Sequence, residues 1–178
     1  MRKIILNLAI SLDGYICDED GGFDWIVGHG VESDTDTSPF DFDMFLEGVD
    51  TLVMGSVSYK DVVLSGLTTF DSKNILVATH QNLEKRDNAS FIQGDICSQV
   101  QALKYKNGKD IWLFGGAGLT DAFIKENLVD EYIIAIIPTI LGKGRRLFKG
   151  DYPKIDLQLN ETDISDGITV LTYTRRKG

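Results

Sequence analysis

The residues best suited to chemistry in this chain are four at a turn, Gly115-Gly116-Ala117-Gly118. Ile111 to Phe114 before them is a short apolar run, and the glycines cannot continue it, because they mark a place where backbone turns and approaches another group closely. Leu119, Ala122 and Phe123 follow at helical spacing. A helix that starts at the glycines aims its unpaired N–H groups and the positive end of its dipole at the turn, where phosphate oxygens bind readily. A second turn of this type, Gly55-Ser56-Val57-Ser58, follows the apolar Thr51 to Met54 and adds hydroxyl donors. Two such turns at one end of the sheet, the carboxyl ends of parallel strands, suit a dinucleotide, whose several phosphates use both.

Two further features bear on a ligand. Asn7 is a polar residue inside the apolar run Ile4 to Ile10. Directed into a cleft its amide hydrogen-bonds a substrate ring; directed into a bulge it is structural. Lys143, Arg145 and Arg146, in LGKGRRLF, form the densest basic cluster of a chain with net charge -9. Arginine meets phosphate with paired donors, and a solvated loop with its charges outward is the alternative.

The acidic balance, with a pI near 4.6, disfavours nucleic-acid and anionic-membrane partners. Cys17 and Cys97 are far apart with no CxxC pair, which points to reduced thiols, no zinc site and a cytoplasmic protein. Arg2-Lys3 and the apolar run after it imitate a signal peptide only faintly, since Asn7 interrupts the run and Ser11-Leu12-Asp13-Gly14 ends it. No run is long enough to span a membrane. At 178 residues, 43% of them hydrophobic, the expectation is one domain over 1–178.

The elements that must position these residues read as follows. A first strand over Ile4 to Ile10 leads into a loop rich in Gly and Asp, from Asp13 to about Asp36, long enough to act as a lid or binding loop. A helix near Ser38-Pro39 carries Phe42, Phe45 and Leu46 on one face. Strands are expected at Thr51 to Met54, Asn74 to Thr79, Ser90 to Gln93 and Ile111 to Phe114, with helices after Gly55, from Asp95 to Tyr105 and after Gly116. Apolar runs without alternation, interleaved with helices, predict an α/β fold with a mostly parallel sheet. Ile155 to Asp163 and Ile168 to Thr174 flank Asp166-Gly167, a two-residue hairpin signal, so the C-terminal edge is expected to be antiparallel and the sheet mixed.

Taken in order, SLDGYI (Ser11 to Ile16), VMGSVSY (Val53 to Tyr59), FGGAGL (Phe114 to Leu119), LVDEYIIAIIP (Leu128 to Pro138) and LGKGRRLF (Leu141 to Phe148) resemble the dihydrofolate reductase-like superfamily. Within it the resemblance is to the branch that holds the riboflavin-pathway reductase domain and related small bacterial reductases. It implies a three-layer fold, helices on both faces of the mixed sheet, and a nicotinamide cofactor lying across the strand ends. Carried over by position, Ala9 and Ile16 contact the nicotinamide end. Gly55, Ser56 and Ser58 meet the first phosphate region, and Phe114, Gly115, Gly116, Ala117 and Leu119 hold the pyrophosphate and its surroundings. Phe23 and Trp25 cap the nicotinamide as part of a lid, or lie under the loop as packing.

Ser56 stands where the family usually has an arginine for the 2'-phosphate, so the resemblance implies NADPH with NADH open as well. Thr79 and His80 border the adenosine half, and His80 replaces part of that charge or is an ordinary surface histidine. Folate reductases place a carboxylate on the first helix, and Asp41 is the matching position, with Asp43 second; a solvated helix start is the other reading of both. Ile136 occupies the place of a threonine usually paired with that acid. Asn7, Asp13, Phe45 and Arg145 fall at the substrate, although Asp13-Gly14 is equally a turn former. The implied function is hydride transfer from NAD(P)H to a small heterocyclic or sugar-phosphate substrate, as in 5-amino-6-(5-phosphoribosylamino)uracil reductase. Pterin reduction and a nucleotide-binding protein without turnover are the alternatives, and the zinc signature of the deaminase often fused to that enzyme is absent. A homodimer is expected, since a free sheet edge needs cover.

Overall fold

Eight strands form one sheet in the order β5-β4-β3-β6-β1-β7-β10-β9 in the computed structural model, which describes residues 1–176. The strands are β1 (Ile4–Ser11), β3 (Val49–Gly55), β4 (Asn74–Ala78), β5 (Ala89–Ile92), β6 (Asp110–Gly115), β7 (Glu131–Ile137), β9 (Leu157–Ser165) and β10 (Ile168–Arg175). Pairings from β5 across to β7 are parallel, and β10 is antiparallel to both β7 and β9. The helices are α1 (Phe42–Gly48), α2 (Ser56–Ser58), α3 (Ile96–Leu103) and α4 (Ala117–Lys125). None of the described helices is long and apolar enough to cross a membrane.

Central strands bury both faces, which is why their sequences read as unbroken apolar runs. On one face Ile4, Leu6, Val53, Ile111 and Leu113 pack with Val100 of α3 and Phe123 of α4. On the other, Leu52, Met54 and Trp112 pack with Tyr59 and Val63, while Phe40 and Phe45 cover Ile5, Ile133 and Val170. Helical segments therefore cover both faces. The hairpin tip is a two-residue turn in which Asp166 and Gly167 have φ of 55° and 75°, the left-handed pair that matches the twist of the flanking strands.

Two local features differ from the sequence reading. The first helix begins at Phe42 rather than near Pro39, because the Asp41 side chain supplies its N-cap by accepting from Met44 N at 2.8 Å. The long loop is interrupted by β2 (Tyr15–Cys17), which pairs antiparallel with β8 (Arg145–Arg146) as a separate ribbon. Beyond β2 the loop is tied to the hairpin: His29 N donates to Asp166 O (2.9 Å), Val31 N to Asp166 Oδ1 (3.1 Å) and Thr37 N to Ile164 O (2.8 Å). These ties hold a segment without regular structure over the sheet, in the place a lid requires.

Candidate active site

The two glycine turns lie side by side, because β3 and β6 are paired in parallel and both end there. Gly115 has φ +101°, a conformation that favours glycine, and a methyl group on it would sit 3.1 Å from Thr120 Oγ1. The Gly115–Gly116 peptide is cis. Gly116 is the N-cap of α4 and contributes no side-chain cap, so the first N–H groups of that nine-residue helix remain available. A methyl group on Gly116 would lie 3.7 Å from Ser58 Oγ, which sets the width of the gap between the turns. Gly55 is the N-cap of α2 and likewise has no side-chain cap. Two polar groups stand beside this cradle that the sequence reading did not raise. Thr120 Oγ1 is buried with no hydrogen-bond partner, and Lys149 Nζ lies 3.8 Å from where a methyl on Gly118 would be. The ammonium supplies positive charge that an anion needs in so acidic a chain.

From the cradle a cleft of about 440 Å³ runs across the sheet beneath the long loop. Its floor is the sheet face that carries Asn7, Ala9, Trp112 and Ala135, and its walls include Phe23, Phe40 and Phe42. Trp112 anchors the aromatic side, with ring centroids 5.8 Å from Phe42, 5.1 Å from Phe45 and 5.0 Å from Phe114. Its Nε1 donates to Asn7 O at 2.9 Å, which fixes the indole against β1. The Asn7 side-chain Nδ2 is buried and has no partner, a donor in a cleft that is otherwise mostly apolar. A buried donor left unpaired costs about 1–3 kcal/mol and is satisfied only by a ligand or water.

Of the residues singled out in the sequence, Asn7, Ala9, Ile16, Ser58, Phe114, Gly116 and Arg145 line this cleft together, as does Phe23. Gly55, Ser56, Gly115, Ala117 and Leu119 belong to the two turns next to it, Ala117 buried and Leu119 packed into the core. Phe45 lies one layer back, behind Phe42 and Trp112. Ile136 also packs on the core of the opposite face. Thr79 is buried with its Oγ1 accepting from Gln81 N (2.9 Å), and His80 is exposed beside it. Lys60 reaches this corner, donating to Gln81 Oε1 at 2.9 Å, and is a cation the sequence reading overlooked.

Asp41 and Asp13 are placed in structural positions. The Asp41 carboxylate caps α1 and is not among the lining residues. Asp13 accepts from Ser11 Oγ (2.6 Å), Gly142 N (2.8 Å) and Leu141 N (3.1 Å), joining the β1–β2 turn to the loop before β8. The Ser11 hydroxyl, then the two backbone donors, hold its carboxyl down at about 2 against the opposing effect of desolvation. The basic cluster divides in the same way. Lys143 pairs with Glu19 (2.9 Å), and Arg146 lies over the Tyr15 ring (4.6 Å) while donating to Tyr15 Oη (3.0 Å). Arg145, set into the ribbon opposite Cys17, is the member that lines the cleft.

The carboxylate among the lining residues is Asp61. It rides on the π-helical turn Tyr59–Val63 that continues α2, where one extra residue per turn rotates the following side chains. No spacing rule for an ordinary helix would bring it out.

A family model for the RibD C-terminal domain matches residues 60–170. The chain is similar to the uncharacterized protein YwjB of Bacillus subtilis (strain 168), 35% identical over 176 residues that cover 98% of each chain. A proposed riboflavin biosynthesis protein from Shewanella sp. PV-4 superposes with a TM-score of 0.79 at 29% identity, over 99% of this chain and 100% of that one. Dihydrofolate reductase from Enterococcus faecalis, solved with NADP(H), superposes with a TM-score of 0.63 at 15% identity, over 98% of this chain and 97% of that one. The fold is thus dihydrofolate reductase-like.

Proposed function

This chain belongs to the RibD C-terminal domain family, and on that premise we propose that it is an NAD(P)H-dependent reductase that delivers hydride to a small heterocyclic or sugar-phosphate acceptor. The reaction resembles that of 5-amino-6-(5-phosphoribosylamino)uracil reductase. The observation that carries the reading is the pairing of an anion cradle with an apolar cleft on the same strand ends, with the unpaired Asn7 amide between aromatic walls.

The residues fit a dinucleotide. Gly116 leaves room between the turns, α4 offers free N–H groups and Lys149 stands alongside. Ala9 and Ile16 give the nicotinamide end an apolar seat. A bound reduced nicotinamide supplies the hydride. The chain's own residues orient and desolvate. Phe23 and Phe40 narrow the space above the sheet, Asn7 donates to a ring acceptor atom, and the tied loop limits water. With Ser56 in place of arginine, NADPH preference rests on Lys60 and His80 near the Thr79 corner, and NADH remains a substrate of the same site.

The test is a fluorescence titration with NADPH, followed by its oxidation against carbonyl, pterin and aminopyrimidine compounds. Saturable binding and turnover of a ring compound support the reading. Binding without any turnover identifies a nucleotide-binding protein instead, and no binding of either nucleotide refutes the site.

A further inference from the structure

The π-helical turn that carries Asp61 is gripped from behind by one loop. Turns of this kind are rare and short, so a chain that keeps one needs contacts outside the turn to hold it. A bond from Leu64 N to Tyr59 O closes it, and the loop between β4 and β5 holds both of its ends. Tyr59 is fully buried, and its hydroxyl donates to Glu84 O (3.1 Å) while accepting from Arg86 N (3.0 Å). The Arg86 guanidinium returns to the far end of the turn and donates to Val63 O at 3.0 Å. Between these ends Lys60 donates to Gln81 of the same loop. The Tyr59 ring stands edge-on to Phe91 of β5, with centroids 5.7 Å apart, which fixes the phenol from the other side. The turn therefore has two sides: Tyr59, Lys60 and Val63 engage the loop, and Ser58, Asp61 and Val62 line the cleft.

We propose that Tyr59 and Arg86 are positioning residues of this cleft, which act on it only through the wall they hold. Neither lines the cleft. A phenylalanine fills the same core space as Tyr59, so packing does not account for the hydroxyl, whose two partners are backbone groups of a single loop. Arg86 likewise directs its guanidinium to a main-chain carbonyl rather than to a carboxylate. Each residue of an α-helix turns by about 100° and each residue of a π turn by less. A turn released from the loop relaxes toward α spacing and carries Asp61 and Val62 round relative to Ser58, which removes them from the wall. The gripping loop also begins at Thr79 and His80, so the staple joins the first glycine turn and that corner in one unit. The use of this unit by a nicotinamide cofactor rests on the reductase reading; the staple and the wall it holds do not.

The experiment measures amide hydrogen exchange and NADPH affinity in the wild type, Tyr59→Phe, Arg86→Met and Arg86→Lys, at a temperature where all are fully folded. Tyr59→Phe and Arg86→Met should speed exchange across residues 60–65 about tenfold and leave the amides of α4 alone. They should also raise the Kd for NADPH about fivefold, since a displaced wall misplaces the groups that meet the ligand. Arg86→Lys keeps a donor on a stem of similar reach and should stay within about twofold of the wild type in both readouts. Asp95→Ala removes the side-chain cap of α3 on the other face of the sheet and serves as the control for lost stability, with both readouts expected to match the wild type. Unchanged exchange in the turn overturns the proposal, and so does faster exchange with an unmoved Kd or an equal rise of Kd in Asp95→Ala. A wild type that binds no nucleotide refutes the reductase reading, and exchange alone then decides the staple, upheld by faster exchange in Tyr59→Phe and Arg86→Met and overturned by its absence.

Discussion

Gly116→Asp is the substitution that separates an anion cradle from a merely tight turn. Gly116 has φ -72°, which any residue adopts, and a Cβ there meets nothing nearer than Ser58 Oγ at 3.7 Å. Both Gly116→Ala and Gly116→Asp should therefore fold and melt with the wild type. The aspartate, however, places a negative charge in the gap where a phosphate would sit. Two unit charges about 5 Å apart at an effective dielectric near 20 repel by about 3 kcal/mol, or roughly two orders of magnitude in Kd. NADPH affinity measured by fluorescence should fall about 100-fold in Gly116→Asp and partly recover at high salt, which screens charges near solvent. Retained affinity in a well-folded Gly116→Asp protein would refute the cradle.

Three further predictions follow from contacts around the cleft. Asp41→Ser keeps a good N-cap, so both stability and turnover should match the wild type, whereas Asp41→Ala loses about 1 kcal/mol in denaturant unfolding; a turnover defect in Asp41→Ser would show that the carboxylate does more than cap. Asn7→Leu removes a buried unpaired donor and should raise stability by about 1 kcal/mol while abolishing the polar contact to a ring ligand, so a gain in melting temperature with unchanged ligand affinity would contradict the role given to Asn7. The Asp13 carboxyl is held at about 2, below its unfolded value near 4, so the stability it contributes is present above pH 4 and lost as pH falls toward 2. Asp13→Asn should melt lower than the wild type at pH 7 and converge with it near pH 2, and parallel curves across that range would count against the Asp13 clasp.

Much of the fold was legible because it depends on strong local signals. Unbroken apolar runs at Ile111 to Phe114 and Leu52 to Met54 mean strands covered on both faces, the glycines after them must turn, and Asp166-Gly167 takes the left-handed pair that a tight hairpin requires. The ribbon of β2 and β8 was not legible, since strands of three and two residues separated by over a hundred positions leave no periodicity to detect. Without it, three basic residues in LGKGRRLF look alike. The pairing turns Arg146 onto Tyr15 and leaves Arg145 at the cleft. Two carboxylates show the same limit. Asp41 has the residue type of a catalytic acid and equally of an N-cap, and its bond to Met44 N decides where the side chain goes. Asp61 reaches the cleft through a π-helical turn, a departure from the 3.6-residue period that sequence spacing presumes. Lys149 and Lys60 stand near the turns by tertiary contact alone.

The measurement closest to the central claim uses the tryptophan on the cleft floor as reporter. In a Trp25→Phe protein the remaining indole is Trp112, which lines the cleft and packs against Phe42 and Phe114. Titration with NADPH should quench Trp112 emission saturably and produce sensitised dihydronicotinamide emission, and both signals should require about 100-fold more NADPH when Gly116→Asp is added. An unchanged Trp112 spectrum at saturating NADPH, or a quenching midpoint unmoved by Gly116→Asp, would contradict a reductase site built from these two glycine turns and this cleft.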